Sequence, residues 1–343
     1  MPITDWQSHL DISHLNTMAM PCVAEHYAEV SAEDALVSAI KAAQAQHLSL
    51  HVLGGGSNVL CPPLIQGLVL RPLIKGIFSD IQHKKGQVLL TVGAGENWHQ
   101  LVEWTLGQGY YGIENLALIP GCVGAAPIQN IGAYGVELSD VLDSVKWFDL
   151  QTHSFKTFSA EACELGYRES VFKQRLKGQA IITAVTLKLS LEPSPVIHYK
   201  PLAEYFANSA GPVTPKAVFD AVCKQRNAKL PNPGAIPNSG SFFKNPVVSL
   251  SQLTRLQKKS PSIPFYPQPN GCAKIPAAWL IDQCGLKGCQ VHGLVVHAKQ
   301  ALVLTNPKRL ELSAVINASE EIAATVRQRF DVQLEREPQI LGA

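Results

Sequence analysis

Residues 120–135 read PGCVGAAPIQNIGAYG, and this stretch limits the possible fold more than any other. It holds four glycines, two prolines and no charged side chain. Glycine weakens helices and strands, and proline interrupts both, so neither a long helix nor an ordinary core strand fits here. Glycine also lets backbone N–H groups approach a ligand closely, because no Cβ intervenes. Two readings follow. One is a buried turn that only packs; the other is a wall against a flat or phosphorylated cofactor. Composition alone leaves them level.

The chain around it is ordinary in composition, with 343 residues, 46% hydrophobic and 16% charged. That length implies two or three domains with ample core. A net charge of +2 and the lack of any long Lys/Arg run argue against nucleic acid as a partner. The opening MPITDWQSHLDISHLNTMAM carries Asp5 and Asp11 and no apolar core, so it does not read as a signal peptide. No stretch reaches the ~18 apolar residues of a membrane span. A cytoplasmic protein away from the membrane is expected. The eight cysteines form no CxxC pair, which suits reduced thiols. His292 and His297 are wrongly spaced for one helical face and HExxH is absent, so no metal site is expected.

Apolar periodicity predicts a helix over 31–46 with Ser31 as N-cap, and another over 98–108 ending at Gly109. Strands are expected at 48–53, 67–70, 87–92, 141–149 and 180–189. Thr214-Pro215 starts a helix running to about Lys229, since proline suits the first helical position. Pro231-Asn232-Pro233-Gly234 marks a domain boundary. Further helices are predicted over 251–258, 277–284 and 311–330. The end, 331–340, alternates like a strand, with Val332, Leu334 and Ile340 on one face and Glu335 and Glu337 on the other.

Several segments could carry chemistry. Gly54-Gly55-Gly56-Ser57-Asn58 offers consecutive N–H donors and two polar side chains, which suits a pyrophosphate as well as a plain hairpin turn. In Asn238-Ser239-Gly240-Ser241-Phe242-Phe243-Lys244-Asn245-Pro246, a hydroxyl on a tight turn can be a nucleophile or a proton donor, or simply cap the helix or turn. No GxSxG surrounds it, so a hydrolase triad is weak. Arg168, in Gly166-Tyr167-Arg168-Glu169-Ser170, can clamp a carboxylate or phosphate, or pair with Glu169 at the surface. Arg226 and Lys229 are three apart near a helix end. There they could serve a diphosphate or only complement the helix dipole.

Taken together, these blocks resemble the UDP-N-acetylenolpyruvoylglucosamine reductase family, MurB, in its longer type I form. The resemblance runs in order through GGGSN (54–58), GAGENW (93–98), ENLALIPGCVGAAPIQNIGAYG (114–135) and GYRES (166–170). It continues through KLP (229–231), GSFFKNP (240–246), AAWLIDQCGLKG (277–288) and LEREP (334–338), and so covers nearly the whole chain.

The resemblance implies an NADPH-linked flavoprotein oxidoreductase holding FAD without a covalent bond. It would reduce UDP-N-acetylglucosamine enolpyruvate to UDP-N-acetylmuramate, a peptidoglycan precursor, with hydride passing from flavin N5 to C3. By the same resemblance Ser241 donates the proton to C2, and Arg168 is the cation for the developing enolate. The family usually reads LEPEV where this chain has Leu334-Glu335-Arg336-Glu337-Pro338. Glu337 aligns with the catalytic glutamate and Glu335 stays in reserve. Gly54, Gly55, Gly56, Ser57 and Asn58 would hold the flavin pyrophosphate. Gly121, Gly124, Ile131, Gly132, Tyr134 and Gly135 would face the ribityl chain and ring. Tyr199, Lys229, Asn245, Tyr266 and Lys274 would hold the sugar nucleotide, with Tyr199 on a closing loop.

The implied fold is α+β: a two-part FAD-binding region of the PCMH/vanillyl-alcohol-oxidase type plus an α+β substrate-binding domain. The parts would be 1–74 with 331–343 returning to it, 75–226 and 227–330, in a monomer whose partner is a small-molecule substrate. Two other classes stay in view: a flavin oxidase on the same cofactor fold, and a non-catalytic nucleotide-sugar binding module.

Overall fold

Along the strand Gln87–Gly93, Val88, Leu90 and Val92 are buried, while Leu89 and Thr91 face the opposite side and are less covered. This period of two is what a half-buried strand requires. In the computed structural model, which describes residues 6–209, 211–268 and 271–342, that strand sits inside a five-stranded antiparallel sheet. The order is Ser154–Ser159, Leu142–Asp149, Ala180–Ser190, Gln87–Gly93, Ile77–Gln82. Contacts divide the described chain into two units, one of residues 6–10, 24–55 and 66–228, the other of 11–23, 56–65 and 229–342.

In the first unit, helix α1 (Glu33–Ala45) buries Leu36, Ile40 and Ala43 against Leu68, Leu70, Phe148 and Ile181. Burying a Leu or Ile side chain contributes roughly 1.5–3 kcal/mol. The N-cap of α1 is Ala32 rather than Ser31, with no side-chain cap. Glu33 and Asp34 in the first turn complement the helix dipole instead. Helix α2 (Trp98–Gln108) starts at Asn97, whose side chain accepts from the Gln100 N–H, and ends at Gly109 with φ 75°. Its Trp98, Leu101 and Val102 join the largest core. Two further helices join that core: α3 (Lys200–Ala207) through Leu202 and Phe206, and α4 (Pro215–Lys229) through Val218, Phe219 and Val222. Thr214 caps α4 by accepting the Ala217 N–H at 3.1 Å. A four-stranded sheet of Gln7–Asp11, Val23–Val30, Leu64–Pro72 and Leu50–Val52 lies at the N-terminal side, its last two strands parallel.

The second unit is built on short strands: Asn238–Ser241, Val303–Thr305, Leu294–Val296 and Gln290–Val291 form one antiparallel sheet. Val247–Ser249, Cys272–Lys274 and Tyr266–Pro267 form another. Helices α5 (Leu250–Lys259), α6 (Ala277–Gln283) and α7 (Leu312–Phe330) cover them. Along α7 the buried Val315, Ala318, Ile322, Val326 and Phe330 repeat every three or four residues. Separate helices and largely antiparallel sheets make this an α+β fold.

The expected strand over 331–340 shrinks to Gln339–Ile340, which runs parallel to Val59–Leu60, plus a single bridge between Arg336 and Phe243. Val332 and Leu334 are buried as the alternation implied. The two glutamates, however, part company. The Glu335 side chain is 69% exposed, whereas Glu337 is 8% exposed. Pro338 offers no N–H to a ladder, and the chain is irregular from Glu337 to Pro338.

Candidate functional site

The glycine-rich segment folds as two 3-10 turns, Val123–Ala125 and Pro127–Gln129, followed by a hairpin pairing Gly132–Ala133 with Val136–Glu137. Its glycines answer the question left open by composition, at least in part. A Cβ on Gly55 would come within 2.5 Å of the Gly121 Cα, and one on Gly124 within 2.6 Å of the Ala94 Cβ. A Cβ on Gly54 would be 2.9 Å from the Cys122 Sγ. The loops at 54–55, 94 and 121–124 are therefore pressed backbone to backbone, and packing alone forbids larger residues at these points. The Gly124 N–H bonds the Ala94 carbonyl and the Val123 N–H the Glu96 carbonyl, both at 2.9 Å.

Further along, the chain turns at Tyr134 and Gly135, both with positive φ (51° and 86°). Two such residues suit a tight hairpin turn, though φ above zero is strained for tyrosine. The Tyr134 carbonyl accepts a 2.9 Å bond from Asn115 Nδ2, which also donates to the Val196 carbonyl. The Tyr134 ring meets the Tyr199 ring edge-on at 5.6 Å. A Cβ on Gly135 would lie 2.9 Å from His198 Nε2 and 3.2 Å from the Tyr199 Cβ, so residues 198–199 lie directly on this turn. Burial raises the Tyr134 pKa.

Arg168, itself at φ 58°, is mounted on the same segment. Its Nη2 donates to the Gly132 carbonyl at 2.9 Å and its Nη1 to the Asn130 carbonyl at 3.2 Å. The guanidinium also lies 5.5 Å from the Tyr167 ring. Lys173 Nζ holds the Arg168 carbonyl at 3.0 Å. Sequence reasoning missed Asn130, which is 1% exposed. Its Nδ2 donates to Glu137 Oε2 at 2.8 Å and to the Gly166 carbonyl at 3.0 Å, and its Oδ1 accepts the Ser139 N–H. This side chain clamps the Arg168 turn to the glycine-rich segment. Its φ of 43° is one that asparagine tolerates well, and an Asn between glycines was the available signal.

Gly56, Ser57 and Asn58 belong to the second unit. A Cβ on Gly56 would fall 1.8 Å from the Leu15 carbonyl oxygen, so glycine is obligatory there too. The Gln339 N–H donates to the Asn58 carbonyl, and Asn58 Nδ2 lies 3.5 Å from the Glu337 carbonyl. The Glu337 N–H donates to the Phe242 carbonyl and the Lys244 N–H to the Glu335 carbonyl, each at 2.9 Å. Asn58, Ser241 and Glu337 thus sit on strands and loops that touch one another. Glu335 is drawn away by Lys244, whose Nζ reaches its carboxylate at 2.6 Å.

Ser241 is exposed and Ser239 buried, although only one residue separates them. The cause is Gly240, with φ 70° and its N–H bonded to Asn238 Oδ1, which places an irregularity in the ladder between Asn238 and Ser241. A bulge of this kind re-aims the side chain that follows it. Buried Ser239 Oγ finds no hydrogen-bond partner among the described residues.

The other expected residues divide plainly. Asn245 Oδ1 accepts the Ala277 N–H at 2.9 Å, so this side chain holds the start of α6. Val247 and Tyr266 both lie opposite Lys274, which puts the three in one row on the more open face of their sheet. Lys229 is the exposed last residue of α4, and Ile131 is buried in the core of the first unit. No group of His, Cys, Asp or Glu among the described residues could hold a metal, and no described helix is long and apolar enough to cross a membrane.

FAD is the group these loops would have to accept. The segments 54–55 and 121–135 carry no charged side chain and close only where backbones touch. Such a surface suits a largely neutral ring.

Comparison with known proteins agrees. A family model described as FAD binding domain matches residues 24–154, and one described as UDP-N-acetylenolpyruvoylglucosamine reductase, C-terminal domain, matches residues 232–341. The chain is 44% identical over 329 residues to UDP-N-acetylenolpyruvoylglucosamine reductase of Shewanella sediminis, covering 96% of this chain and 94% of that one. It is 44% identical over 335 residues to the reductase of the same name from Neisseria meningitidis serogroup C, covering 97% and 96%. In fold it is similar to the crystal structure of UDP-N-acetylenolpyruvylglucosamine reductase (MurB) from Thermus caldophilus, at 22% identity and a TM-score of 0.64 over 96% and 97% of the two chains. The chain belongs to the UDP-N-acetylenolpyruvoylglucosamine reductase (MurB) family.

Proposed function

We propose that this member of the family reduces UDP-N-acetylglucosamine enolpyruvate to UDP-N-acetylmuramate in the cytoplasm, as a monomer with NADPH as reductant and FAD bound without a covalent link. FAD, when bound, supplies the two-electron carrier between NADPH and the enolpyruvyl C3. The remaining work falls to the protein. Hydride arriving at C3 leaves negative charge at C2 and on the adjacent carboxylate, and preorganised donors there lower the barrier. Arg168 is the cation for that carboxylate, and Glu337 supplies a second contact to it. Ser241 delivers the proton to C2. Serine is a weak acid, so this step relies on a strongly basic carbon and on aim. Gly240 provides the aim. Lys229, Asn245, Tyr266 and Lys274 hold the nucleotide end, and Tyr199 closes over the Tyr134 turn. The glycines, Ser57, Asn58, Ile131 and Tyr134 hold the flavin.

One observation carries this reading. Arg168 is bonded through two nitrogens to carbonyls of the glycine-rich segment, which puts a fixed cation on a stretch, 120–135, that has no charged side chain of its own. We further propose the three-part division at 1–74 with 331–343, 75–226 and 227–330. The pairing of Gln339–Ile340 with Val59–Leu60 supports the returning end.

An absorbance spectrum of the purified protein, before and after anaerobic NADPH, tests the cofactor and the reductant together. Ser241→Ala then tests the proton donor. Bleaching of the flavin by NADPH should persist, while turnover of the enolpyruvyl substrate falls by about 10²- to 10⁴-fold. Equal slowing of both half-reactions would sink the assignment.

A further inference from the structure

Arg226 lies three residues before the end of α4, on a helix anchored in the core of the first unit by Val218, Phe219, Ala221 and Val222. Its Nε is closed off from solvent and has no hydrogen-bond acceptor among the described residues. Among the described residues, no carboxylate pairs with its guanidinium. The groups that feel its charge are Tyr134, Cys223 and Arg168. Burial pushes both the Tyr134 phenol and the Cys223 thiol up, so neither offers a negative charge at neutral pH. Arg168 is a second cation, and it holds the Gly132 carbonyl two residues before Tyr134. Burial, and after it the repulsion from Arg168, lowers the Arg226 pKa, but a guanidinium starts too high to lose its proton.

An unpaired cation withdrawn from water beside a like charge is costly, and folded proteins keep such groups where a ligand of opposite charge completes them. The missing partner is an anion next to the Tyr134–Gly135 turn. With the flavin oxidised, the three ligands of the proposed reaction carry one carboxylate between them, which Arg168 takes; every other negative charge on them in that state is a phosphate. We infer that Arg226 binds a phosphate oxyanion of a nucleotide ligand, its planar fork of donors matching two phosphate oxygens. This rests on the function proposed above and adds to it a residue for which the sequence left a diphosphate and a helix-end role equally open.

The test uses the flavin-loaded protein, wild type against Arg226→Gln and Arg226→Lys. Titrations with UDP, with uridine and with NADP+, and the dissociation constant for FAD against that for riboflavin, separate the sources of phosphate. Arg226→Gln should weaken one phosphate ligand by about 10- to 100-fold. Uridine and riboflavin should stay within about twofold. Loss confined to UDP assigns the sugar nucleotide, loss confined to FAD the flavin pyrophosphate, and loss confined to NADP+ the reductant. Arg226→Lys keeps the charge without the fork, so a smaller loss of the same ligand is expected, and it carries the comparison if the Gln variant does not fold. If UDP, FAD and NADP+ all bind both variants as they bind wild type, the assignment is overturned. A wild-type protein that holds no flavin and binds UDP no better than uridine overturns the proposed function along with it.

Discussion

The glycines at 55 and 124 and the glycine at 240 are required for different reasons. In the first unit the place of a Cβ is already filled: the Gly121 backbone occupies it for Gly55, and Ala94 occupies it for Gly124. The restriction is steric and shared among several loops. At Gly240 a Cβ would meet nothing within 4 Å, and what counts is the backbone conformation, φ 70°, which turns Ser241 outward while Ser239 stays buried. A glycine-dense motif is thus partly a packing statement and only partly a ligand statement. A single glycine in a strand of four residues does more to turn one exposed side chain outward than the dense motif does. The first unit offers a neutral surface with Arg168 fixed to it, and the second offers aimed side chains.

That contrast is open to attack most directly through the two C-terminal glutamates. Glu337 is buried against the Ser241 strand, while Glu335 is exposed and paired with Lys244. Glu337→Gln should lower turnover by about 10²-fold or more, the range for losing one group that stabilises developing charge. Glu335→Gln should change turnover less than about twofold and stability by at most about 1 kcal/mol, as befits a largely exposed carboxylate. Steady-state kinetics on both variants decides the matter, and a larger loss at Glu335 reverses the assignment.

The glycines themselves come next. Gly55→Ala must force backbone apart and should cost about 1–3 kcal/mol, with flavin lost from the purified protein but turnover per bound flavin retained. Gly240→Ala has room and pays only for its left-handed backbone, about 1–2 kcal/mol. There flavin content should hold while turnover falls. Thermal melts, flavin-to-protein ratios and rates measured on both variants would show whether the two kinds of glycine differ as described; matching phenotypes would mean that they do not.

Much of this was legible in the chain itself. Apolar periodicity and helix-start signals located α1, α2, α4, α5 and α7 to within two residues at each end, because each runs ten residues or more and carries a stripe long enough to dominate its neighbours. Short elements were harder to read. The strand Ser154–Ser159 and the eight-residue α3 carry too few turns or alternations to stand out, and their form is set by what they pack on. The 331–340 segment misled because its alternation holds only through Leu334 and its hydrogen bonds are not those of a strand. Spatial joins were also hidden: no local pattern says that Arg168 bonds the carbonyls of Asn130 and Gly132, some 36 residues earlier. Asn130 could have been suspected from its glycine neighbours, but its three-way clamp depends on Glu137, Ser139 and Gly166 arriving together.

Acid provides the smallest and most selective probe of the contrast. The glycine-rich segment has no carboxylate or histidine of its own, so acid sensitivity of the first unit must come from elsewhere in it. Asp149, at the end of a central strand, accepts from Lys156 Nζ at 2.6 Å and from the Gln151 and Thr152 N–H groups at 2.8 and 3.2 Å. The Lys156 bond is the main cause holding its carboxyl at about 2, below the ordinary value. A pKa depressed by folding contributes stability that is complete above the unfolded value of about 4 and is lost as pH falls through about 2. Asp149→Asn should therefore destabilise the protein by about 1 kcal/mol at neutral pH. The gap from wild type should then close between about pH 4 and 2 in denaturant melts, because only the wild type has this stabilisation to lose. A gap that stays constant down to pH 2 would show that Asp149 acts through its turn geometry rather than its charge. Flavin release that tracks the same pH window in wild type, and shifts in Asp149→Asn, would tie retention of the cofactor to the sheet behind the glycine surface.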